Sequence, residues 1–148
     1  MKTINVYLTF NGNCKEAFEF YKSILGGEFS YIGTFGEMPP QEGMPSLPEE
    51  MKNQIMHISL PISKETVLMG SDAGGEWAPK LNVGNNFSIS LLTETIEEAD
   101  RIFYALSEGG KIIMPLGNQF WGAYYGMLTD KFGINWMVNC DLSEDSKQ

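Results

Sequence analysis

Few side chains in this chain suit chemistry near neutral pH, and they are spread along its whole length. His57, in QIMHISLPI, is the only histidine. An imidazole titrates in the useful range, so it fits proton transfer or a ligand hydrogen bond. Asp72 closes the next strand-like run, LMGSD, and a hairpin would make it a neighbour able to form a His–Asp pair. The plain alternative is a strand histidine satisfied by a backbone group. The turn at Ser63-Lys64-Glu65-Thr66 decides which face His57 takes, and the sequence leaves that open. Cys14 stands in the first turn of a predicted helix beside Lys15, where a thiol pKa is lowered. An inert small residue near a cap is the plain reading there, and packing is the plain reading for Cys140.

The remaining candidates lie in strand-like runs of the second half. In DKFGINWMVN a tight turn, Asp130-Lys131-Phe132-Gly133, precedes a strand. Alternation puts Asn135, Met137 and Asn139 on one face and Trp136, Val138 and Cys140 on the other. A turn centred on Lys131-Phe132 pairs Met137 with Gly126 and Asn139 with Tyr124, so Tyr124, Gly126, Met137 and Asn139 share a face. Trp121, Tyr124 and Tyr125 belong to the same FWGAYYG run; they pack core or line a pocket. Ser88 and Ser90 alternate in NFSISLLT, where buried hydroxyls need a partner: ligand, water or backbone. Met69 in VLMGSD and Met137 would give such a pocket adaptable apolar walls.

These residues hang on a pattern that occurs twice. FNGNCKEAFEFYKSILGGEF and LTETIEEADRIFYALSEGGKI align at an offset that places Glu16-Ala17 on Glu98-Ala99 and Gly27 on Gly109. Each has a capping residue, Asn13 or Thr95, with a glutamate three positions on. Each carries one apolar stripe: Ala17, Phe20, Tyr21, Ile24 and Leu25, or Ala99, Ile102, Phe103 and Leu106. Each stops at a glycine pair suited to a left-handed cap. A strand-like run precedes each helix, INVYLTF or NFSISLLT. Three follow each: Glu28–Phe35, Gln54–Ile62 and Thr66–Ser71, then Lys111–Pro115, Gln119–Thr129 and Ile134–Cys140. The expected fold class is α+β, with two tandem βαβββ modules forming a curved mixed sheet around a cleft. The expected organisation is a single domain over 1–148: module one about 1–72, a linker about 73–85, module two about 86–141 and a short polar tail 142–148. GEMPPQEGMPSLPEEMKN carries Pro39, Pro40, Pro45 and Pro48 and reads as a surface loop over about 37–53, covering one end of the cleft or simply inserted.

Bulk properties narrow the function classes. A chain of 148 residues buries about 68–70% of its unfolded surface, enough for stability without a disulfide or structural metal. A net charge of −9 repels phosphate backbones and anionic membrane surfaces, so nucleic acid and membrane are not expected partners. No apolar run approaches the roughly 20 residues that span a bilayer. With two cysteines at opposite ends and no signal-peptide pattern in MKTINVYLTF, the expected location is cytoplasmic with reduced thiols.

The runs YLTFNGNCKEAFEFYKSILGGE, LMGSD and FWGAYYGMLTDKFGINW together resemble the vicinal oxygen chelate superfamily, also called the glyoxalase/bleomycin-resistance/dioxygenase fold. The closer resemblance is to its PhnB-like branch, often labelled 3-demethylubiquinone 3-methyltransferase. The resemblance implies the paired βαβββ fold, a homodimer, and in metal-dependent members one ligand in the first and last strand of each module. Those four positions fall on Val6, Met69, Ser88 and Met137. None is a carboxylate or imidazole, and thioethers serve chiefly soft copper. No metal and no other cofactor is therefore expected. No strand–GxGxG–helix turn supports the methyltransferase label. PhnB-like sequences often carry an arginine where Tyr124 stands, so a pocket here suits an apolar or aromatic ligand better than an anion.

The expected function is metal-independent binding of a small, mostly apolar organic ligand through His57, Met69, Ser88, Ser90, Trp121, Tyr124, Met137 and Asn139, with no catalytic residue assigned. A superfamily enzyme acting through His57 or an unrecognised metal arrangement is the alternative. A structural or regulatory dimer without a small-molecule site is a third.

Overall fold

Side-chain alternation decides how each half of the chain folds, because each strand must show one row of residues to a helix and the other row away from it. The computed structural model describes residues 1–39, 42–43 and 47–142, with Glu76 and Trp77 described in backbone only. The chain divides into two units, Met1–Asn82 and Val83–Gln148. Of the proline-rich stretch, Pro40 and Pro45 lie outside the described residues, as does the tail beyond Leu142.

The first unit runs β1 (Val6–Phe10), α1 (Cys14–Leu25), β2 (Tyr31–Thr34), a short helix α2 (Glu49–Lys52), β3 (Ile55–Pro61) and β4 (Val67–Asp72). Its sheet has the order β1-β4-β3-β2, with β1 parallel to β4 and the other pairs antiparallel. The second runs β5 (Ile89–Thr93), α3 (Ile96–Ser107), β6 (Lys111–Gln119), β7 (Ala123–Thr129) and β8 (Asn135–Asp141), in the matching order β5-β8-β7-β6. Each unit is thus the expected βαβββ module, and the strands form two separate four-stranded mixed sheets. One helix covers one face of each. On α1 the buried residues Ala17, Phe18, Tyr21 and Ile24 meet Leu8, Phe10, Ile58, Leu60 and Leu68 of the sheet side. On α3 they are Ala99, Ile102, Phe103 and Leu106, over Leu128, Trp136 and Val138. Each large apolar side chain so buried contributes about 1.5–3 kcal/mol. The opposite face of each sheet is called open below.

Within each module one buried carboxylate ties the elements together. Asp72, only 3% exposed, accepts from Gly12 N (2.8 Å) and Cys14 N (3.0 Å) through Oδ1 and from Ile55 N (2.8 Å) through Oδ2. It thereby caps α1 from the end of β4 and fixes the start of β3. The expected cap, Asn13, makes no side-chain cap bond, because its φ of −118° and ψ of 24° are not the extended backbone that a cap requires. Thr95 does cap α3, accepting from Glu98 N at 3.1 Å. The same Asp72 engagement removes the expected His57–Asp72 pair: both its oxygens are committed to backbone N–H groups. Cys14 is fully buried, and burial pushes its thiol pKa well above the ordinary value, with the Asp72 charge adding to the shift. The helix N-terminus does not activate it.

Asp130 plays the parallel part in the second unit. Its Oδ1 accepts from Phe132 N (2.8 Å) and Ile134 N (3.0 Å), and its Oδ2 from the indole N–H of buried Trp136 (2.8 Å). The turn takes one more residue than expected: Gly133, at φ 87°, sits in the left-handed region after the Asp130–Gly133 turn, as in three-residue hairpin loops. Pairing therefore closes on Thr129 and Asn135. The expected register is corrected by one residue: Met137 lies opposite Met127 and Asn139 opposite Tyr125. A one-residue slip exchanges the faces of a whole strand. Tyr124, opposite Cys140, consequently turns to the helix side, where its hydroxyl donates to Asp100 of α3 at 2.5 Å.

Other boundaries differ as well. β6 continues through Pro115 to Gln119, which an edge strand allows, and the register shifts between Met114 and Gly117. Trp121 lies in the Phe120–Gly122 turn rather than in a strand, half exposed. The helix α2 occupies part of the stretch read as loop, beginning directly after Pro48.

Two outcomes follow. Asp72→Ala removes the acceptor of three N–H groups, two of them in buried bonds, and buried unsatisfied groups cost about 1–3 kcal/mol each, so urea unfolding should show a loss of about 2 kcal/mol or more. Asn13→Ala should change stability by less than about 0.5 kcal/mol; equal losses would remove Asp72 from the capping role. The hydrogen bond to Asp100, burial and the Asp100 charge push the Tyr124 phenol up to about 12. A raised folded-state pKa stabilises the fold below the ordinary value near 10 and loses that contribution as pH rises to about 12. Ultraviolet titration of the six tyrosines should include a late ionisation, at about 12, that Tyr124→Phe removes.

Candidate functional site

The open face of the first sheet is built by cross-strand pairs. Tyr7 lies opposite Met69, Met69 opposite Ser59, and Ser59 opposite Tyr31, so these four side chains form one row across β1, β4, β3 and β2. The buried partners of the same strands, Leu8, Ile58, Leu60 and Leu68, take the helix face. His57 is two residues from Ser59 on β3 and joins the open face. Tyr31 can lean over Gly33, opposite His57, because there is no side chain there: a Cβ on Gly33 would stand 2.6 Å from the Tyr31 hydroxyl. His57 therefore sits between two aromatic rings, 5.6 Å from Tyr7 and 5.8 Å from Tyr31.

Both imidazole nitrogens have hydroxyl partners. Nδ1 lies 3.2 Å from the Tyr7 hydroxyl and Nε2 lies 2.9 Å from Ser59 Oγ. A hydroxyl donates or accepts, so either neutral tautomer satisfies both contacts. Further along the same face, Thr9 and Ser71 lie opposite each other at the C-terminal ends of β1 and β4. They line an open pocket of about 450 Å³ with Gly74, Lys80 and Leu81. The face is a shallow aromatic and thioether surface with hydroxyls and one imidazole. It can stack or pack against a small apolar body and give it directed hydrogen bonds.

The second sheet has an equivalent row. Ser90 lies opposite Met137, Met137 opposite Met127, and Met127 opposite Met114. Asn139 follows on the same face, opposite Tyr125 and Leu92, and its Nδ2 donates to Asp141 at 3.0 Å. Ser88, half-buried just before β5, keeps the parity of Ser90. Of the candidate residues, His57 and Met69 meet on the first sheet and Ser88, Ser90, Met137 and Asn139 share the second. Tyr124 faces the helix, and Trp121 stands in a turn at the end of the sheet, with its ring 6.1 Å from Tyr125. Reasoning from sequence missed Tyr7, Ser59, Tyr31 and Met127, and weighed Tyr125 without placing it beside Asn139. Alternation from His57 points to Ser59, but the strand partners of Met69 depend on registers that only the structure supplies.

The positions implied for a metal need one correction. Helix starts repeat from Cys14 to Ile96, but first-strand places repeat from Tyr7 to Ser90, one residue further, because the first module has the extra Gly12 between strand and helix. Val6 thus pairs with buried Leu68 on the helix side, and Asn5 is the residue equivalent to Ser88. The Asn5 amide oxygen accepts from Val67 N at 3.2 Å. The implied positions thus hold an amide and a thioether on the first sheet and a hydroxyl and a thioether on the second, none of which suits a hard or borderline divalent ion. Among the described residues, no three of the His, Cys, Asp and Glu side chains gather into a metal-holding group. No helix there is long and apolar enough to cross a membrane.

Known proteins share this arrangement. Residues 3–138 match the family model of the Glyoxalase/Bleomycin resistance protein/Dioxygenase superfamily. Protein YjdN of Escherichia coli (strain K12) is 35% identical over 141 residues, covering 92% of this chain and 93% of that protein. The crystal structure of protein PA1353 from Pseudomonas aeruginosa superposes with a TM-score of 0.79 at 42% identity, over 95% of this chain and 98% of that one. A PhnB protein from Bacillus cereus, provisionally labelled 3-demethylubiquinone-9 3-methyltransferase, gives a TM-score of 0.67 at 26% identity, over 93% and 98%. With two βαβββ modules and a family match across nearly its whole length, the chain belongs to the Glyoxalase/Bleomycin resistance protein/Dioxygenase superfamily.

Proposed function

We propose that this protein binds a small, mostly apolar organic molecule on the open face of its first sheet, without a divalent metal. The observation that carries this reading is the row Tyr7–Met69–Ser59–Tyr31 with His57 held between its two tyrosine rings. An apolar or aromatic body packs on Met69 and the rings; the adaptable thioether tolerates shape differences. The hydroxyls of Ser71 and Thr9 and the imidazole supply orientation. The amide, hydroxyl and thioether donors at the superfamily's ligand positions support the metal-free part of the proposal. The methyltransferase label on the Bacillus cereus relative has no counterpart here in a glycine-rich nucleotide turn.

A catalytic use of His57 is a second reading, and one observation favours it: the hydroxyl 2.9 Å from Nε2.

The binding proposal is testable with metal-stripped protein carrying ¹³C-methyl methionine. A library of small aromatic and aliphatic compounds is added one at a time, and Met69→Leu assigns the Met69 resonance. A hit should shift that resonance saturably with no metal present. His57→Ala should weaken it about tenfold, the worth of one hydrogen bond near 1.4 kcal/mol. Binding that appears only after a divalent ion is added, or that leaves the Met69 signal unmoved, contradicts the proposal.

A further inference from the structure

The contact between His57 and Ser59 goes beyond ligand binding. We infer that Ser59 is a nucleophile activated by His57, able to take an acyl group from a small ester or similar acyl compound with a good leaving group. His57 and Ser59 are i, i+2 on β3, so both side chains stand on the open face, and Nε2 to Oγ is 2.9 Å. That is the reach a base needs to take a hydroxyl proton. The third group of such an arrangement is one that holds the base. Here the Tyr7 hydroxyl stands 3.2 Å from Nδ1, and the Tyr7 and Tyr31 rings flank the imidazole at 5.6 and 5.8 Å.

In the tautomer the step requires, Nδ1–H donates to the Tyr7 hydroxyl oxygen and the Nε2 lone pair accepts from Ser59. Ser59 is the short side chain between Met69 and Tyr31 in its row. The residue is 9% exposed. The pocket lined by Thr9 and Ser71 lies further along the same face.

The reaction needs no reagent beyond the acyl compound and water. Ser59 Oγ attacks the carbonyl carbon as its proton passes to Nε2. The tetrahedral adduct collapses, the bond from carbon to the leaving oxygen breaks, and the leaving group departs with the proton from Nε2. An acyl ester remains on Ser59. Water, deprotonated by the same imidazole, then releases the acid and frees the serine.

The full chain is incubated with p-nitrophenyl acetate, and separately with a fluorophosphonate, and the adduct is located by peptide mass mapping. The expected result is one adduct on the peptide holding Ser59, absent in Ser59→Ala. In His57→Gln the labelling rate should fall by about 100-fold or more, the scale of general-base assistance. An unlabelled wild-type chain, an adduct on a lysine or tyrosine instead, or equal labelling in His57→Gln overturns the inference. The wild-type map decides even where a variant fails to fold. Failure here leaves the binding proposal standing, because the Met69 signal does not depend on serine chemistry.

Discussion

The carboxylate of Asp130 sets which residues the second sheet can offer. By accepting from Phe132 N, Ile134 N and the Trp136 indole, it holds a turn one residue longer than a simple two-residue hairpin. Because side chains alternate, that single residue decides that Tyr125 and Met127, not Tyr124 and Gly126, stand beside Met137 and Asn139. Asp72 does comparable work in the first unit, joining the α1 start to β3 and β4 through three backbone donors. Each module thus rests on one buried acid whose charge is compensated by N–H groups at short range, a cheaper arrangement than an unpaired buried charge. Asp72, the one acid that the sequence offers as a partner for His57, is structural.

Much of the fold was legible because it depends on local rules. The α3 stripe, the glycine stops, the Thr95 cap and the repeated βαβββ unit are visible in the residues, whereas on α1 Phe18 is fully buried and the expected Phe20 and Leu25 only half-buried. The faces of β8 were also legible: Asn135, Met137 and Asn139 against Trp136, Val138 and Cys140 needs only alternation. What failed were quantities set by length. Gly133 added a residue to a turn, and Gly12 added one between strand and helix, so Tyr124 and Val6 were each placed on the wrong face. The cap on α1 was illegible for another reason: Asp72 reaches it from 58 residues away along the chain.

The candidate site shows how much more the registers supply. His57 alone carries little information in sequence. Placed opposite Gly33, between Tyr7 and Tyr31 and beside Ser59, it becomes the only imidazole of the chain, oriented by two hydroxyls on a face otherwise made of rings and a thioether. The superfamily to which the chain belongs hosts many chemistries on one scaffold, so function must be read from such local groups. Here they favour soft, apolar contact over hard-ion coordination.

The measurement that bears most directly on that claim is a thermal-unfolding scan of metal-stripped protein with Zn²⁺, Ni²⁺, Mn²⁺, Fe²⁺ and Co²⁺ added singly. An ion that binds only the native state at about 100 times its Kd adds about 2.7 kcal/mol. For a domain of this size that raises Tm by several degrees, at about 2–4 °C or somewhat more per kcal/mol. The side chains at the four implied positions, Asn5, Met69, Ser88 and Met137, predict no saturable shift with any of the five. A saturable rise with one of them, lost when Met69 or Met137 is replaced by Leu, would contradict the account and restore a metal centre to this fold.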